Sequence, residues 1–106
     1  MNKITMMVCG AVLMMSGHAM AGNPAAGKEK AKTCAACHGA DGNSASADFP
    51  KLAGQYNDYL VKSMQGYKSG VRKNAIMAPM AANLSLRDIE DLAAYFSSQQ
   101  GLSTFK

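Results

Sequence analysis

The sequence predicts an all-α domain that wraps something other than its own side chains. Three observations carry this. No segment alternates apolar and polar residues as a half-buried strand does. Two segments instead repeat apolar residues at steps of three and four, the spacing of one helical face. Long irregular stretches separate them, and a 106-residue chain with no tryptophan has little with which to fill its own middle.

The first 21 residues, MNKITMMVCGAVLMMSGHAMA, are set apart from the fold. Lys3 gives a basic start, Ile4 to Met15 are mostly apolar, and Ala19-Met20-Ala21 is a small-residue cleavage site. This is the pattern of a secretory signal peptide, removed after Ala21. The apolar run is too short for a bilayer, which takes about 20 residues. Cys9 comes too early in the run to be a lipid anchor. Cleavage leaves residues 22–106 as one exported domain of 85 residues, expected in the periplasm, with a net charge of +3. Cys9, His18 and six of the nine methionines leave with the signal. The modest charge and the export signal both speak against nucleic acid as a partner. A domain this small needs a staple: a disulfide, a metal or a cofactor.

Each element then follows in order. Asn23-Pro24 reads as an N-cap with proline at the first helical position, and AAGKEKAKT continues as a short helix. Gly27 is costly inside it, and marks either a close approach by another helix or a frayed helix. Lys28, Lys30 and Lys32 read as a solvated face, with a weak steering role toward acidic partners as the alternative. Residues 39–54, GADGNSASADFPKLAG, form a loop with turns at Asp41-Gly42 and around Pro50. So long a loop in a small domain wraps something. Tyr56, Leu60, Met64 and Tyr67 share one face of a second helix, which ends near Gly70. GVRKNAIMAPMAAN is expected to be irregular, since Pro79 opposes regular structure. Ser85 and Asp88 then have capping-box spacing. Leu86, Ile89, Ala93 and Phe96, widened by Leu92 and Tyr95, form the apolar stripe of a third helix.

The motif that carries chemistry is Cys34-Ala-Ala-Cys37-His38. A disulfide between these cysteines would close too small a loop to restrict the unfolded chain much, and it would leave His38 unexplained. A redox thiol pair belongs after a strand, and no strand precedes this one. Structural zinc takes four ligands, and after export the chain offers three with no further cysteine or histidine. C-x-x-C-H is also the attachment motif of c-type haem. Two thiols one turn apart add to the two vinyl groups as thioethers, and the adjacent neutral imidazole reaches the iron. Haem would supply the missing core as well. With no second histidine in the mature chain, the other axial ligand is a methionine: Met64, Met77 or Met80. Met64 lies on a helix face suited to packing. Met77 and Met80 lie in a loop that can bring sulfur to iron, a ligand that raises the potential and suits electron transfer.

From Gly22 onward the chain resembles a class I c-type cytochrome, especially one haem domain of the dihaem bacterial cytochromes c and their small monohaem periplasmic relatives. AGKEKAKTCAACHGADGNS, FPKLAGQ, IMAPMAANLS and DIEDLAAYFSSQ carry the resemblance across nearly the whole mature chain. It implies three main helices and long loops around one covalent haem. It implies Met77, eight residues before Ser85, as the axial ligand, with Met80 as packing. It also implies that the Pro50 carbonyl accepts a hydrogen bond from His38 and that Gly27 lets the first helix cross the last near Tyr95. Charge alone makes Arg72 and Lys73 candidates to meet a haem propionate. The relatives with two motifs leave two arrangements here: a monohaem monomer, or two copies weakly associated.

The expected function is therefore electron transport by a soluble periplasmic carrier, not an enzyme. It would pass single electrons from a donor such as a membrane quinol-oxidising complex to a terminal oxidase or reductase. The alternatives are a haem subunit of a larger complex and a ligand-binding sensor whose sixth ligand is labile.

Overall fold

The computed structural model describes residues 22–102, so the expected signal peptide lies outside the described residues. Those residues form five helices and no strand: α1 (Pro24–Lys30), α2 (Ala35–His38), α3 (Asn57–Ser69), α4 (Met77–Ala82) and α5 (Leu86–Ser97). A single 3-10 turn, Ala31–Thr33, joins α1 to α2. The three main helices stand where the periodicity places them. Two short helices, α2 and α4, are additional.

Local chemistry sets the helix ends. Asn23 Oδ1 accepts from the N–H groups of Ala25 and Ala26 at 2.8 and 3.2 Å, and Pro24 needs no acceptor at the first position. Gly70 ends α3 with φ at +89°, a left-handed turn that costs a residue with a Cβ about 1–2 kcal/mol. At α5 the capping box is complete. Ser85 Oγ accepts from the Asp88 N–H at 3.0 Å, and Asp88 Oδ2 accepts from the Ser85 N–H at 2.9 Å. The segment expected to be irregular is in part helical, because Pro79 falls in the first turn of α4, where no intrahelical donor is required.

The crossing of α1 over α5 is built from three residues on one face, the N-cap Asn23 and, within α1, Gly27 and Lys30. A Cβ on Gly27 would lie 2.8 Å from Tyr95 Cβ and would collide with the Asp91 carbonyl, so glycine alone admits this approach. On either side of it, α1 grips the same carboxylate. The Asn23 N–H donates to Asp91 Oδ1 at 2.8 Å, and Lys30 Nζ donates to Asp91 Oδ2 at 2.7 Å. Lys30 also reaches Asp88 Oδ1 at 2.9 Å. The Asp91 side chain is 4% exposed, so its charge is carried into the fold already paired.

The core is thin. Ala31, Leu60, Leu92, Ala93, Tyr95 and Phe96 form the buried cluster. Ile89 and Leu92 are the largest side chains fully removed from water, each contributing roughly 1.5–3 kcal/mol. Leu86 and Tyr56, placed on apolar faces by their spacing, stand 54% and 38% exposed. Loop 39–54 runs over this core, and backbone bonds knit it together. Gly42 O accepts from Leu52 and Ala53, while the Gly54 N–H donates to Phe96 O at the end of α5, at 2.9 Å.

Two outcomes test the crossing. Gly27→Ala should lower the stability of the holoprotein by about 1–3 kcal/mol in denaturant unfolding, the usual cost of overpacking. The second concerns pH. The Ser85 N–H and Lys30 hold Asp88 down to about 2, and the Asn23 N–H and Lys30 lower Asp91. Both carboxylates thus add stability that is complete above their ordinary 3.8 and lost as pH falls through their lowered folded values, about 2 for Asp88. Asp91 and Asp88 raise Lys30, whose contribution is complete below 10.5 and lost as pH climbs through its higher folded value. Lys30→Met should make the acid limb shallower in a circular-dichroism titration. It should not abolish that limb, because the two backbone N–H donors remain.

Candidate haem site

One turn of helix carries the motif. The His38 N–H donates to Cys34 O at 2.9 Å, and the Gly39 N–H to Ala35 O at 3.0 Å. Positions i, i+3 and i+4 of a turn share a face, so Cys34, Cys37 and His38 project together. Gly39, with φ at +87°, ends the turn and sends the chain into the loop.

His38 is buried, at 8% exposure. Its Nδ1 lies 2.9 Å from the Pro50 carbonyl oxygen. A carbonyl can only accept, so Nδ1 carries the proton and the lone pair is at Nε2. Phe49 meets the ring edge-on, with centroids 6.3 Å apart. The loop is held on both sides of this contact. Before Pro50 the Tyr95 hydroxyl donates to Ala40 O at 2.9 Å and Asn43 Nδ2 donates to Gln100 O at 2.9 Å, and after it the Gly54 N–H donates to Phe96 O. The expected Pro50 contact is therefore present, set by α5 through the loop.

The competing readings of the cysteines find no support. The Cys34 and Cys37 thiols are not joined. Burial pushes the Cys34 thiol up, whereas an activated redox thiol is pushed down. Among the described residues, no three of His, Cys, Asp and Glu converge on a point that could hold a metal ion. Cys34 itself packs against the buried cluster, and so do Leu52, Val61, Met64 and Leu84, all partly exposed, an apolar surface suited to a large apolar group. Met64 thus has the packing role its helix face suggests.

Met77 is carried separately, at the head of α4 and half-buried. Asn74, which sequence reasoning passed over, holds it there. Asn74 Oδ1 accepts from the N–H groups of Ile76 and Met77 at 2.9 Å each, and Asn74 O accepts from Ala78 at 3.0 Å. Pro79 has no N–H, so every donor at this helix start is accounted for. The clue was an Asn shortly before a Pro, which is also an N-terminus signal. Met80 is 44% exposed. Two of the three clustered lysines are taken up within the chain, Lys30 by Asp88 and Asp91 and Lys32 by Glu29.

Two cysteines and a keyed histidine on one face, beside an apolar wall, fit a covalently attached haem, and this is a c-type haem domain. The cytochrome c family profile matches residues 24–100, and the chain belongs to that family. One covalent haem with iron comes with that membership, in the class I fold. Cytochrome c4 of Pseudomonas aeruginosa is 54% identical over 80 residues, covering 76% of this chain and 40% of that protein. Cytochrome c-554(548) of Halomonas halodenitrificans is 49% identical over 83 residues, covering 76% of this chain and 100% of that protein. The crystal structure of reduced recombinant cytochrome c4 from Pseudomonas stutzeri superposes with a TM-score of 0.74 at 48% identity, covering 77% of this chain and 48% of that one. The chain thus spans less than half of the cytochrome c4 proteins and matches one haem domain of them.

Tyr95→Phe removes the hydroxyl that holds Ala40 and leaves the ring in the core. Denaturant unfolding of the holoprotein should register a loss of about 1 kcal/mol. A loss within error would show that the loop does not need this bond.

Proposed function

We propose that the chain is a one-electron carrier of the periplasm, with Cys34 and Cys37 as the thioether attachments and His38 and Met77 as the axial ligands. The observation that carries this reading is the 2.9 Å contact between His38 Nδ1 and Pro50 O. It selects the tautomer with a free Nε2, aims the ring, and strengthens the ring's donation to a metal. A histidine that merely filled the core would need no such tuning.

When bound, the haem supplies reversible exchange of one electron at iron. The residues of the chain do the rest. His38 gives a nitrogen donor of fixed orientation. Met77 gives a soft thioether that favours the reduced state, on a backbone pinned by Asn74. The apolar wall of Leu52, Val61, Met64 and Leu84 excludes water on one side. Were His38 and Met77 both to hold the iron, no position would be left open for a substrate or a gas, as a carrier rather than a sensor requires. Cytochrome c-554(548), matched over its whole length, supports one haem domain in residues 22–106, and a monomer or weak homodimer is the state proposed. The leader of residues 1–21 supports export. Among the described residues, no helix is long and apolar enough to cross a membrane. The partners are a redox donor and acceptor, such as a quinol-oxidising complex and a terminal oxidase or reductase, met through small and transient interfaces.

Met77→Ala should abolish the sulfur–iron charge-transfer band of the oxidised holoprotein and let the reduced form bind carbon monoxide rapidly. Met80→Ala should leave both unchanged. The reverse pattern would move the ligand to Met80, and rapid carbon monoxide binding by the unaltered protein would replace the carrier with a sensor.

A further inference from the structure

Helix α4 carries Met77 at its head, and at six residues it is too short to be stable by itself. Packing holds it weakly, because Ala81 is its one buried residue and a single methyl removes little apolar area from water. Polar ties to α3 do the rest. Where the connecting segment begins, Gly70 reverses the chain, and the N–H groups of Gly70 and Arg72 both donate to Gly66 O at 3.0 Å. Arg72 folds back along α3, where its Nη1 donates to Tyr59 Oη at 3.3 Å and to Ser63 Oγ at 3.2 Å. Its guanidinium lies over the rings of Tyr59 and Tyr67. Further along, Asn74 Oδ1 caps α4 at Ile76 and Met77.

The far end of the segment is tied as well. Lys68 Nζ donates to Ala82 O at 3.0 Å, across 14 positions of sequence. Ala82 is the last residue of α4, and its carbonyl is one of those that a helix end leaves without an intrahelical partner. Such carbonyls carry partial negative charge, which an ammonium answers. Lys68 belongs to the last turn of α3. It stands one turn beyond Met64, whose side chain packs against the core. Residues 69–81 thus form a closed loop, fastened to α3 at both ends with Met77 between the fastenings.

We propose that Lys68 is a positioning residue for Met77: its bond to Ala82 O holds α4 in the placement from which the thioether stays on the iron. The proposal rests on the reading of Met77 as the axial ligand. A sulfur–iron band that survives Met77→Ala fails that reading, whatever Lys68 does. Release of the thioether swings α4 away from α3, and the Lys68 bond is made only before the swing. Losing the bond raises the population of the released state, and an added ligand gains apparent affinity in proportion to that population.

The probe is imidazole, added to the oxidised holoprotein. Lys68→Ala is compared with Lys62→Ala, which removes the same charge from an exposed position of α3. Lys68→Ala should bind imidazole about two- to fivefold more tightly than that control, the effect of one exposed hydrogen bond from a charged donor. Its sulfur–iron band should also vanish at a lower urea concentration than in the control, while the helical circular-dichroism signal is lost at the same concentration in both. That difference is the mark of α4 opening alone. Lys68→Arg still donates to the carbonyl and should bring both quantities back toward wild type. Equal imidazole affinity in Lys68→Ala and Lys62→Ala would overturn the proposal and leave Lys68 as an exposed helix cap. So would a Lys68→Arg protein that binds imidazole as tightly as Lys68→Ala, since the bond would then not be the cause.

Discussion

Asp91 is the constraint on which the arrangement rests. A carboxylate 4% exposed in the middle of a helix needs donors, and its two donors both come from α1. The Asn23 N–H fixes the start of α1 and Lys30 fixes its end, so neither the register nor the rotation of α1 on α5 is free. Gly27 between them allows the backbone to descend until both contacts close. Because Lys30 is the last residue of α1, the 3-10 turn and then α2 begin from a fixed point. The position of the cysteine turn therefore follows from a carboxylate on a helix that carries none of the motif.

The other end of α5 acts on the same histidine from the opposite side. Tyr95 holds Ala40, Phe96 O holds Gly54, and Gln100 O holds Asn43. These bonds turn a glycine- and serine-rich loop into a fixed strap, and Pro50 O is one of its points. His38 is thus reached by two routes from a single helix, through α1 to its backbone and through the loop to its ring. Since the largest fully buried side chains among the described residues are one isoleucine and one leucine, such bonds must supply the precision that packing supplies elsewhere.

What the sequence disclosed follows the range of its signals. Asn23-Pro24, Ser85 with Asp88, and the 3.6-residue stripe of α5 are local patterns, and each maps onto a bond or a buried face. C-x-x-C-H is a covalent requirement and equally local. Gly27 was legible as a close approach because glycine in a helix interior has a cost that something must offset. The exposure of Leu86 was not legible, because periodicity says which residues share a face but not where a face ends. Helix α4 was hidden by Pro79, whose meaning depends on whether it stands in the first turn or beyond it. Asn74 settles that, and its role shows only when its oxygen is seen meeting two N–H groups. The Asp91 network joins positions 23, 30 and 91, a separation at which one sequence holds no readable pattern.

The distribution of charge shows why counting cations misleads. Lysines 28, 30 and 32 stand together in the sequence and suggest a basic patch. In the fold Lys30 points into the α1–α5 crossing and Lys32 into a pair with Glu29. Their charge is largely answered within the chain, so they offer little field to a partner. Arg72 stands beyond that cluster, and among the described residues no salt bridge reaches it. Its side chain would ordinarily lose about 2 kcal/mol of rotamer freedom on being held, yet here glycine, serine and two tyrosines hold it before any ligand arrives. Ordering in advance lowers the entropy lost on any later binding. The small excess of positive charge therefore matters less for its size than for where the protein has spent structure to immobilise it.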